Sequence, residues 1–339
     1  MSFVRRLMGR DQDQSDDAAA SSRTEVQSEG TSVSEGTEEP RDLPESGQDP
    51  GANPKAKETS SATEPALAKH PVTLAGAEIS RPPGLWVGYA SDVGQMRDHN
   101  EDTAVIFQPV QLGYDASDTF GFFIVTDGMG GHEAGEVASS LAARLVSRHI
   151  LERIFLPYFL NRTPDVSMAP PTEILRAAVQ KANDQVHEQV PGGGTTLTCA
   201  LVLGRRAFIA HVGYSRAYLL TRYDMHQLTH DHSYVGRLME LGELSPEEAA
   251  VHPQRHVLYR AIGQGDGLDI DTYHQPLPPG SRLLLCTDGL SGTVPEKEIG
   301  RIIASAVTPQ AACDQLLDAA NKAGGPDNIT AVLIETPLD

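Results

Sequence analysis

Residues 195–220, with the sequence TTLTCALVLGRRAFIAHVGYSRAYLL, constrain the fold of this chain most strongly. Three apolar, β-branched runs follow one another in this segment, and only short turns at Gly204-Arg205 and Gly213-Tyr214 separate them. Parallel strands need a connection of about a dozen residues or more, so strands this close together should be antiparallel. The segment therefore predicts consecutive antiparallel strands.

Further strand and helix patterns lie on both sides of this segment. Strand-like runs occupy residues 103–107, 119–126, 282–287 and 329–335. Apolar residues have helical spacing between Val137 and Ile154 and again between Leu175 and Val186, and residues 233–262 look helical but polar. Runs of antiparallel strands combined with a few helices predict an α+β, layered domain.

The first 82 residues differ in composition from the rest of the chain. They are acidic and rich in Ser, Glu, Pro and Gly, and Phe3 is their one aromatic residue. So few apolar groups cannot offset ~1–2 kcal/mol of backbone entropy for each ordered residue, so residues 1–82 are predicted to be a disordered tail. We interpret this tail as a spacer, with a phosphorylatable or partner-binding tail as the alternative. Residues 83–339 are then predicted to form one folded domain.

The charge balance and the cysteines argue against several classes of protein. With 27 Lys and Arg against 46 Asp and Glu, the formal net charge is −19, which argues against a partner that is nucleic acid or an anionic membrane. No stretch approaches the roughly 20 apolar residues of a membrane span. The 3 cysteines are far apart and odd in number, which fits a reducing compartment. We expect a cytoplasmic protein, and a monomer.

Acidic residues stand at the ends of several predicted strands. Asp127-Gly128 and Asp288-Gly289 follow apolar runs, whereas Glu101-Asp102 and Asp327-Asn328 precede them. Each pair taken alone has an ordinary alternative, because such dipeptides are common in turns. Clustered carboxylates repel one another unless a cation lies among them, and hard oxygen ligands favour Mg²⁺ or Mn²⁺. Together the pairs predict a divalent-cation site, where two ions could activate a water for attack on a phosphate ester.

Three further patterns have competing interpretations. Arg97 could bind a phosphate with its planar guanidinium group, or it could be a surface arginine paired with Glu101 or Asp102. The string His230-Asp231-His232 could ligate zinc, although a solvated turn is the simpler interpretation. Arg216 opens a predicted strand, so we interpret it as a structural residue.

Eight strings follow one another along residues 86–337: SDVGQMRDHNED (91–102), VTDGMGGHEAGEVAS (125–139), GGTT (193–196), HVGYSRAYLL (211–220), LTHDHSYV (228–235), HPQRHVLYRAIG (252–263), LLLCTDGLSG (283–292) and GGPDNITAVL (324–333). In this order they resemble the motifs of the metal-dependent, type-2C protein Ser/Thr phosphatases (the PPM family) in their bacterial form. The resemblance implies two packed antiparallel β-sheets flanked by helices, an α-β-β-α sandwich. It also implies a metal centre at one end of the sandwich and a mobile flap at about 233–262.

The resemblance further implies a role for each acidic position. The family's metal ligands fall on Glu101, Asp102, Asp127, Gly128, Asp288 and Asp327. Among them Asp127 matches the bridging ligand of two Mn²⁺ or Mg²⁺ ions, and Gly128 would bind one ion through its backbone carbonyl. Glu101 and Asp102 match the acidic pair that acts directly or through metal-bound waters. Arg97 matches the arginine that binds the phosphate, so Arg97 and Asp127 are the predicted catalytic residues.

The implied function is the metal-dependent hydrolysis of phosphoserine and phosphothreonine in proteins, which would reverse a bacterial Ser/Thr kinase. Two positions depart from the family pattern, because Tyr214 replaces the Asp of a usual GDSR string and Gly292 stands where an acid is frequent. Both missing acids belong to a third metal site, so we expect two ions and a weakened third site. The alternatives are a pseudophosphatase or phosphoprotein-binding scaffold, and a metal-dependent hydrolase of another ester.

Overall fold

The computed structural model of this chain describes residues 84–109, 119–130, 133–160, 169–222, 224–245, 248–249 and 251–338. The predicted tail, residues 1–82, lies outside the described residues. The strands are β1 (Trp86–Asp92), β2 (Asp102–Phe107), β3 (Phe120–Met129), β4 (Gly194–Thr195), β5 (Leu197–Leu203), β6 (Arg206–Val212), β7 (Arg216–Leu220), β8 (Met225–Gln227), β9 (Asp271–Pro276), β10 (Arg282–Cys286) and β11 (Ile329–Glu335).

These strands form two antiparallel sheets. The first sheet has the order β1-β11-β10-β7-β8, and the second has the order β2-β3-β5-β6-β9, with β4 paired to β3. The two sheets pack against each other, because side chains from both share one buried cluster that includes Phe123, Ile209, Leu283 and Val332. The predicted fold class, α+β with two packed antiparallel sheets, is confirmed.

The helices flank this pair of sheets. They are α1 (Glu133–Ile150), which continues through a π-helical turn (Leu151–Phe155) into α2 (Leu156–Phe159), then α3 (Pro171–Gln189), α4 (Tyr234–Glu240), α5 (Asp288–Ser291), α6 (Glu296–Ser305) and α7 (Pro309–Lys322). Buried residues of α1 and α3 share a core with the second sheet, whereas α6 and α7 share one with the first. The result is a layered α-β-β-α arrangement.

Strand β3 shows why several of these strands are apolar along their whole length. Phe122 and Ile124 pack on the helical side, whereas Phe123 and Val125 pack on the side of the other sheet. Successive side chains of a strand point to opposite faces, so a strand that is buried on both faces needs apolar residues at every position. This continuous apolar run made β3 recognisable in the sequence, and it holds Asp127 at its end on a rigid element.

The segment of three consecutive strands differs in one respect from a simple meander. Strands β5 and β6 pair antiparallel, as predicted, but β7 pairs with β10 and β8 in the other sheet. The chain changes sheet at Gly213, whose φ is 109°. A Cβ atom at this position would lie 2.7 Å from Cβ of Thr196, so the crossing requires glycine.

Residues 233–262 are not helical throughout, contrary to the prediction. Within the described part of this segment α4 covers Tyr234–Glu240, and turns occupy most of the remainder. The two ends of the segment are tied together, because the Tyr234 backbone N–H donates to the Val257 carbonyl at 2.8 Å and the Tyr259 N–H donates to the His232 carbonyl at 3.0 Å. We call residues 233–262 the flap segment.

Candidate active site

The predicted acidic residues meet where the ends of the two sheets come together. Asp102 lies directly opposite Asp127 in the antiparallel register of β2 and β3. Asp288 is the first residue of α5, immediately after β10, and Asp327 lies just before β11 in the same sheet as β10. A hydrogen bond from Thr287 Oγ1 to Asp102 Oδ2, 2.8 Å long, joins the two sheets at this point.

The carboxylates at this junction strongly influence one another. Burial raises the pKa of Asp127 well above its ordinary value, and the charges of Asp288, Asp102 and Asp327 raise it further. Burial also raises the pKa of Asp102 to about 7, against the hydrogen bonds from Thr330 and Thr287. Such a group of desolvated acids is unfavourable unless protons or cations compensate the charge.

Two carboxylate oxygens at this junction lack the partner that burial normally demands. The Oδ1 atoms of Asp102 and Asp288 are buried, and neither has a hydrogen-bond partner in the described part of the chain. An ionised carboxylate can only accept, and a buried acceptor without a donor is costly. A divalent cation would satisfy both oxygens, so the donor set fits Mg²⁺ or Mn²⁺.

No group of three or more Asp, Glu, His or Cys side chains within the described ranges is positioned to hold a metal ion by itself. Mg²⁺ commonly uses one or two protein carboxylates and completes its octahedron with waters and substrate oxygens. The paired acids at this junction suit that mode of binding better than they suit an all-protein cage. They also differ from the nitrogen and sulfur ligand sets that zinc prefers.

Close backbone packing fixes the position of the Asp127-Gly128 pair. A Cβ atom on Gly128 would lie 2.2 Å from the Gly135 carbonyl oxygen, so only glycine allows β3 to approach α1 this closely. The Gly128 N–H donates to the Glu101 carbonyl at 3.1 Å, which places Gly128 beside the second acidic pair. The Asp127 carbonyl accepts from Thr195 Oγ1 at 2.8 Å.

Asn328, which sequence reasoning noted only as a neighbour of Asp327, organises the loop that carries Glu101. Its Oδ1 accepts from the Glu101 backbone N–H at 2.8 Å, and its Nδ2 donates to the carbonyls of Val93 and His99 at 2.9 and 3.0 Å. His99, also missed, lies 3.0 Å from Glu101 through Nε2 and Oε1. The Asn328 contacts join positions 227 to 235 residues apart, so no local pattern could have revealed them.

Arg97 lies at the edge of the same group of acids. Its Nη2 donates to Asp327 Oδ2 at 2.8 Å, and the Arg97 side chain is 52% exposed. The hydrogen bond to Asp327 raises the pKa of Arg97, and the charges of Asp327, Glu101 and Asp127 act in the same direction. A surface pair with Glu101 or Asp102 was the alternative expectation, and the observed partner is Asp327 instead.

Tyr214 and Gly292, the two departures from the family pattern, both lie against Asp288. Burial raises the pKa of Tyr214 well above its ordinary value, and the charges of Asp127, Asp288 and Asp327 raise it further. The Tyr214 hydroxyl is therefore neutral at this site. The Gly292 N–H donates to the Asp288 carbonyl at 2.6 Å, at the C-terminal end of α5.

The string 230–232 is not a solvated turn, so that interpretation was wrong. His232 is 1% exposed, and the Gly213 N–H donates to its Nδ1 at 3.1 Å, which leaves Nε2 to donate to Asp271 at 3.2 Å. Asp231 receives three hydrogen bonds from the part-buried Arg216, at 2.9, 3.2 and 2.7 Å. The structural interpretation of Arg216 is confirmed.

The comparisons with known proteins agree with this architecture. The profile of the Protein phosphatase 2C family matches residues 88–237. The serine/threonine phosphatase stp of Listeria monocytogenes is 38% identical over 257 residues, which cover 74% of this chain and 95% of that protein. The protein phosphatase PhpP of Streptococcus pneumoniae is 34% identical over 253 residues, covering 73% of this chain and 96% of PhpP.

Solved structures of serine/threonine phosphatases are also similar to this chain. The crystal structure of the Mycobacterium tuberculosis serine/threonine phosphatase PstP/Ppp is similar with a TM-score of 0.62 and 31% identity, over 75% of this chain and 99% of that one. These relatives favour a catalytic protein over the pseudophosphatase alternative. The family profile, the relatives and the shared fold agree with the arrangement of acids between the two sheets. The chain therefore belongs to the protein phosphatase 2C family and is a protein serine/threonine phosphatase.

Proposed function

We propose that this protein hydrolyses phosphoserine and phosphothreonine with a water activated by two Mn²⁺ or Mg²⁺ ions. The observation that carries the proposal is a pair of buried oxygens, Oδ1 of Asp102 on β2 and Oδ1 of Asp288 just after β10, that have no hydrogen-bond partner among the described residues. Strands β2 and β10 belong to opposite sheets. A related structure, the catalytic domain of the phosphatase PstP in complex with 2 manganese ions, matches this chain with a TM-score of 0.59 and 31% identity. That relative supports the number of ions.

The acidic residues would divide the binding of the ions between them. Asp127 would serve both ions, because the charges of Asp102, Asp288 and Asp327 all act on its carboxylate. Glu101 and the Gly128 carbonyl would complete the set on the side of β3, where the Gly128 N–H already contacts the Glu101 carbonyl. Two divalent ions, when bound, supply an activated water and neutralise charge on the phosphate.

Arg97 would bind the phosphate group of the substrate. Its guanidinium carries donors in a planar fork, which matches two phosphate oxygens. The ion pair with Asp327 holds this group at the edge of the acids while leaving the side chain half exposed. Arg97 would therefore meet the phosphate at the mouth of the site, before the reaction begins.

The partners of this phosphatase would be phosphorylated proteins that a bacterial Ser/Thr kinase has modified. A cytoplasmic location is consistent with Cys199, Cys286 and Cys313, which are free and buried. No described helix combines the length and the apolar composition that crossing a membrane requires. Nucleic acid is not an expected partner for a chain with a net charge of −19. The monomeric state stays a prediction.

Release of inorganic phosphate from a phosphothreonine peptide by the full-length chain tests the proposed function. We expect turnover with Mn²⁺, none with EDTA, and recovery when Mn²⁺ is restored. Asp127→Asn should be inactive, whereas Asp318→Asn on the exposed face of α7 should behave like the parent. Turnover in EDTA would contradict the metal requirement. Hydrolysis of small carboxylic esters without peptide dephosphorylation would support the other ester hydrolase instead.

A further inference from the structure

A pocket of about 690 Å³ lies beside the candidate active site and contains none of its acidic residues. It is bounded by the glycine-rich loop Gly192–Gly194, by the C-terminal end of α3 and by residues 258–264 at the end of the flap segment. Its volume falls within the range of pockets that bind small molecules or short peptide segments.

The floor of the pocket is continuous with the strand that carries Asp127. Met129 lines the pocket, lies two residues beyond Asp127 on β3, and pairs with Gly194 of the glycine-rich loop. A strand advances about 3.3 Å per residue, so Met129 is about 7 Å along β3 from Asp127. An extended peptide advances at the same rate, so a residue about two positions from the phosphorylated one would reach the pocket.

The wall formed by the end of the flap segment is held rigidly. The Ile262 N–H donates to the Thr195 carbonyl at 2.8 Å, and the Thr195 N–H donates to the Ile262 carbonyl at 3.1 Å. Thr195 also bonds to the Asp127 carbonyl, so a single residue connects the pocket wall with the metal-binding strand. Two residues before Ile262, Arg260 donates to Asp271 at 3.1 Å on β9.

Side chains of α3 hold the same wall from its other side. Asn183 Oδ1 accepts from the Gly263 N–H at 2.9 Å, and Asn183 Nδ2 donates to the Gly265 carbonyl at 2.7 Å. The His187 Nδ1 lies 3.0 Å from the Gly263 carbonyl. Because this wall is hydrogen-bonded to both Thr195 and α3, the pocket exists before a ligand arrives, which reduces the entropic cost of binding.

The lining of this pocket is mainly apolar. The apolar lining residues are Met129, Val190, Pro191, Leu258, Ala261 and Ile262. Of these, Met129, Pro191 and Leu258 have side chains that are at least partly exposed, whereas the other three are buried. Among the described lining residues, His187 is the one with an ionisable side chain, although the chain as a whole carries a net charge of −19. A pocket of this kind binds an apolar side chain and disfavours a charged one, because a buried charge without a partner is costly.

We propose that this pocket is a subsite for the phosphoprotein substrate, and that it accepts an apolar side chain about two residues from the phosphoserine or phosphothreonine. The inference rests on the proposed function, because it assumes that a phosphorylated polypeptide lies across the acidic site. It adds a sequence preference to that function. The entrance is open beside Gly192, where an added Cβ atom would meet no atom within 4 Å.

A peptide series on the full-length chain tests the subsite. Phosphothreonine peptides carry leucine, alanine or lysine, one position at a time, at each of the three residues on either side of the phosphothreonine. We expect one position at which leucine exceeds lysine by about tenfold or more in kcat/KM, which is the discrimination that a small apolar pocket commonly provides. The same peptides are then used to measure kcat/KM for variants that carry a carboxylate on the pocket wall.

Leu258→Glu and Pro191→Glu place that carboxylate on opposite walls of the pocket. Each should lower the leucine-to-lysine ratio at the selected position to about one or below, because the new charge pairs with lysine and disfavours leucine. Pro191 is exposed, so Pro191→Glu should fold even if Leu258→Glu does not. Val251→Glu is the matched control, since Val251 belongs to the flap segment, is 77% exposed and does not line the pocket.

The outcomes separate this inference from the proposed function. If the parent dephosphorylates every peptide at similar rates, the subsite is refuted and the phosphatase function stands. If the leucine preference survives in both Leu258→Glu and Pro191→Glu, it arises elsewhere and the subsite is refuted as well. If Val251→Glu changes the ratio as strongly as the pocket variants, a general charge effect is responsible. Absence of turnover with any peptide in Mn²⁺ would count against the proposed function itself.

Discussion

Arg97 Nη2 lies 2.8 Å from Asp327 Oδ2, so the residue proposed to bind phosphate is ion-paired with a residue proposed to bind metal, although 230 positions separate them in sequence. Asp327 directly precedes β11, and Arg97 lies in the loop between β1 and β2. If both proposed roles hold, the pairing would place the phosphate and a metal ion on adjacent groups. A bound phosphate would then compete with Asp327 for the Arg97 guanidinium.

Replacement of Arg97 tests its role in phosphate binding. Arg97→Ala should raise KM for a small aryl phosphate about tenfold or more and lower kcat less, because the contact already exists in the ground state. Arg97→Lys should restore only part of the loss, since an ammonium group cannot reproduce the bidentate fork. Steady-state kinetics with Mn²⁺ measures both variants. An unchanged KM in Arg97→Ala would make Arg97 a structural partner of Asp327 only.

Replacement of Asp127 tests whether the acids are arranged for a cation. In EDTA at neutral pH, Asp127→Asn should unfold at the same temperature as the parent or a higher one, because it removes one of several mutually repelling carboxylates. Mn²⁺ at a hundred times its Kd should stabilise the parent by about 2.7 kcal/mol and the variant much less. Thermal unfolding with and without Mn²⁺ measures this difference. Equal stabilisation of both proteins by Mn²⁺ would contradict the assignment.

The pH dependence of the stability of the parent and of Asp127→Asn, both in EDTA, gives a second test of the repulsion between the carboxylates. The raised pKa of Asp127 means that the folded parent without metal binds this proton more tightly than the unfolded chain does. Its stability contribution is therefore present at low pH and is lost as pH rises above the ordinary aspartate range toward neutrality. Asparagine does not titrate, so the advantage of Asp127→Asn in EDTA should grow between about pH 4 and pH 7. If the difference in stability between Asp127→Asn and the parent stays constant over this pH range, repulsion between the carboxylates is not its cause.

Local patterns in the sequence revealed the strands that carry the acids. Strands β3, β5, β10 and β11 are buried on both faces, so their apolar runs are continuous. Three of these runs locate Asp127 near the C-terminal end of β3, Asp288 just after β10 and Asp327 just before β11. Strand β9 (Asp271–Pro276) went unrecognised because it is polar and only partly buried. It lies at the edge of its sheet, where the sequence DTYHQP gives no apolar alternation.

Long-range relationships could not be read from the sequence. The change of sheet at Gly213 depends on Thr196, which occupies the space that a side chain would need. The environment of His232 depends on Asp271, 39 positions away, so the string 230–232 looked like a solvated turn. The alternative interpretation of Arg97 paired it with Glu101 or Asp102, its neighbours in sequence, yet its observed partner is Asp327, 230 positions away.

His211, on the interior strand β6, should make the protein sensitive to acid. Burial lowers the pKa of His211 to about 4, and the nearby His232 lowers it too. The ring is held by two contacts, since Nε2 donates to the His230 carbonyl at 2.9 Å and Nδ1 lies 2.9 Å from the Thr198 hydroxyl oxygen. The unfolded chain binds this proton near pH 6.5, so stability is full above that pH and falls as pH drops toward 4.

The size of this loss should be roughly 3 kcal/mol at pH 4, because each pKa unit corresponds to about 1.4 kcal/mol. His211→Gln keeps a donor for the His230 carbonyl and cannot titrate, so its stability should fall less between pH 7 and pH 4.5 than that of the parent. Urea unfolding in EDTA at the two pH values measures the difference. His226→Gln, at an exposed position on β8, is the matched control, and a parent-like loss in His211→Gln would contradict the prediction.

Tyr214 should limit this protein to two tightly bound ions. Burial and the neighbouring carboxylates keep its hydroxyl neutral, so Tyr214 offers no charge to a third cation. Restoring both missing acids would meet an obstacle, because a Cβ atom at Gly292 would lie 2.8 Å from the Asp288 carbonyl oxygen. Tyr214→Asp alone therefore tests the third metal site more directly than a double substitution that also changes Gly292.

We expect Tyr214→Asp to show an additional Mn²⁺ binding event in calorimetric titration, because the new carboxylate provides a hard oxygen ligand beside Asp288. Tyr214→Phe removes the hydroxyl without adding charge, so it should bind the same number of ions as the parent and serves as the matched control. Turnover of Tyr214→Asp at millimolar Mn²⁺ should exceed that of the parent if the third ion assists the reaction. Identical ion numbers and affinities in the parent and in Tyr214→Asp would show that the tyrosine is a packing replacement without consequence for metal binding.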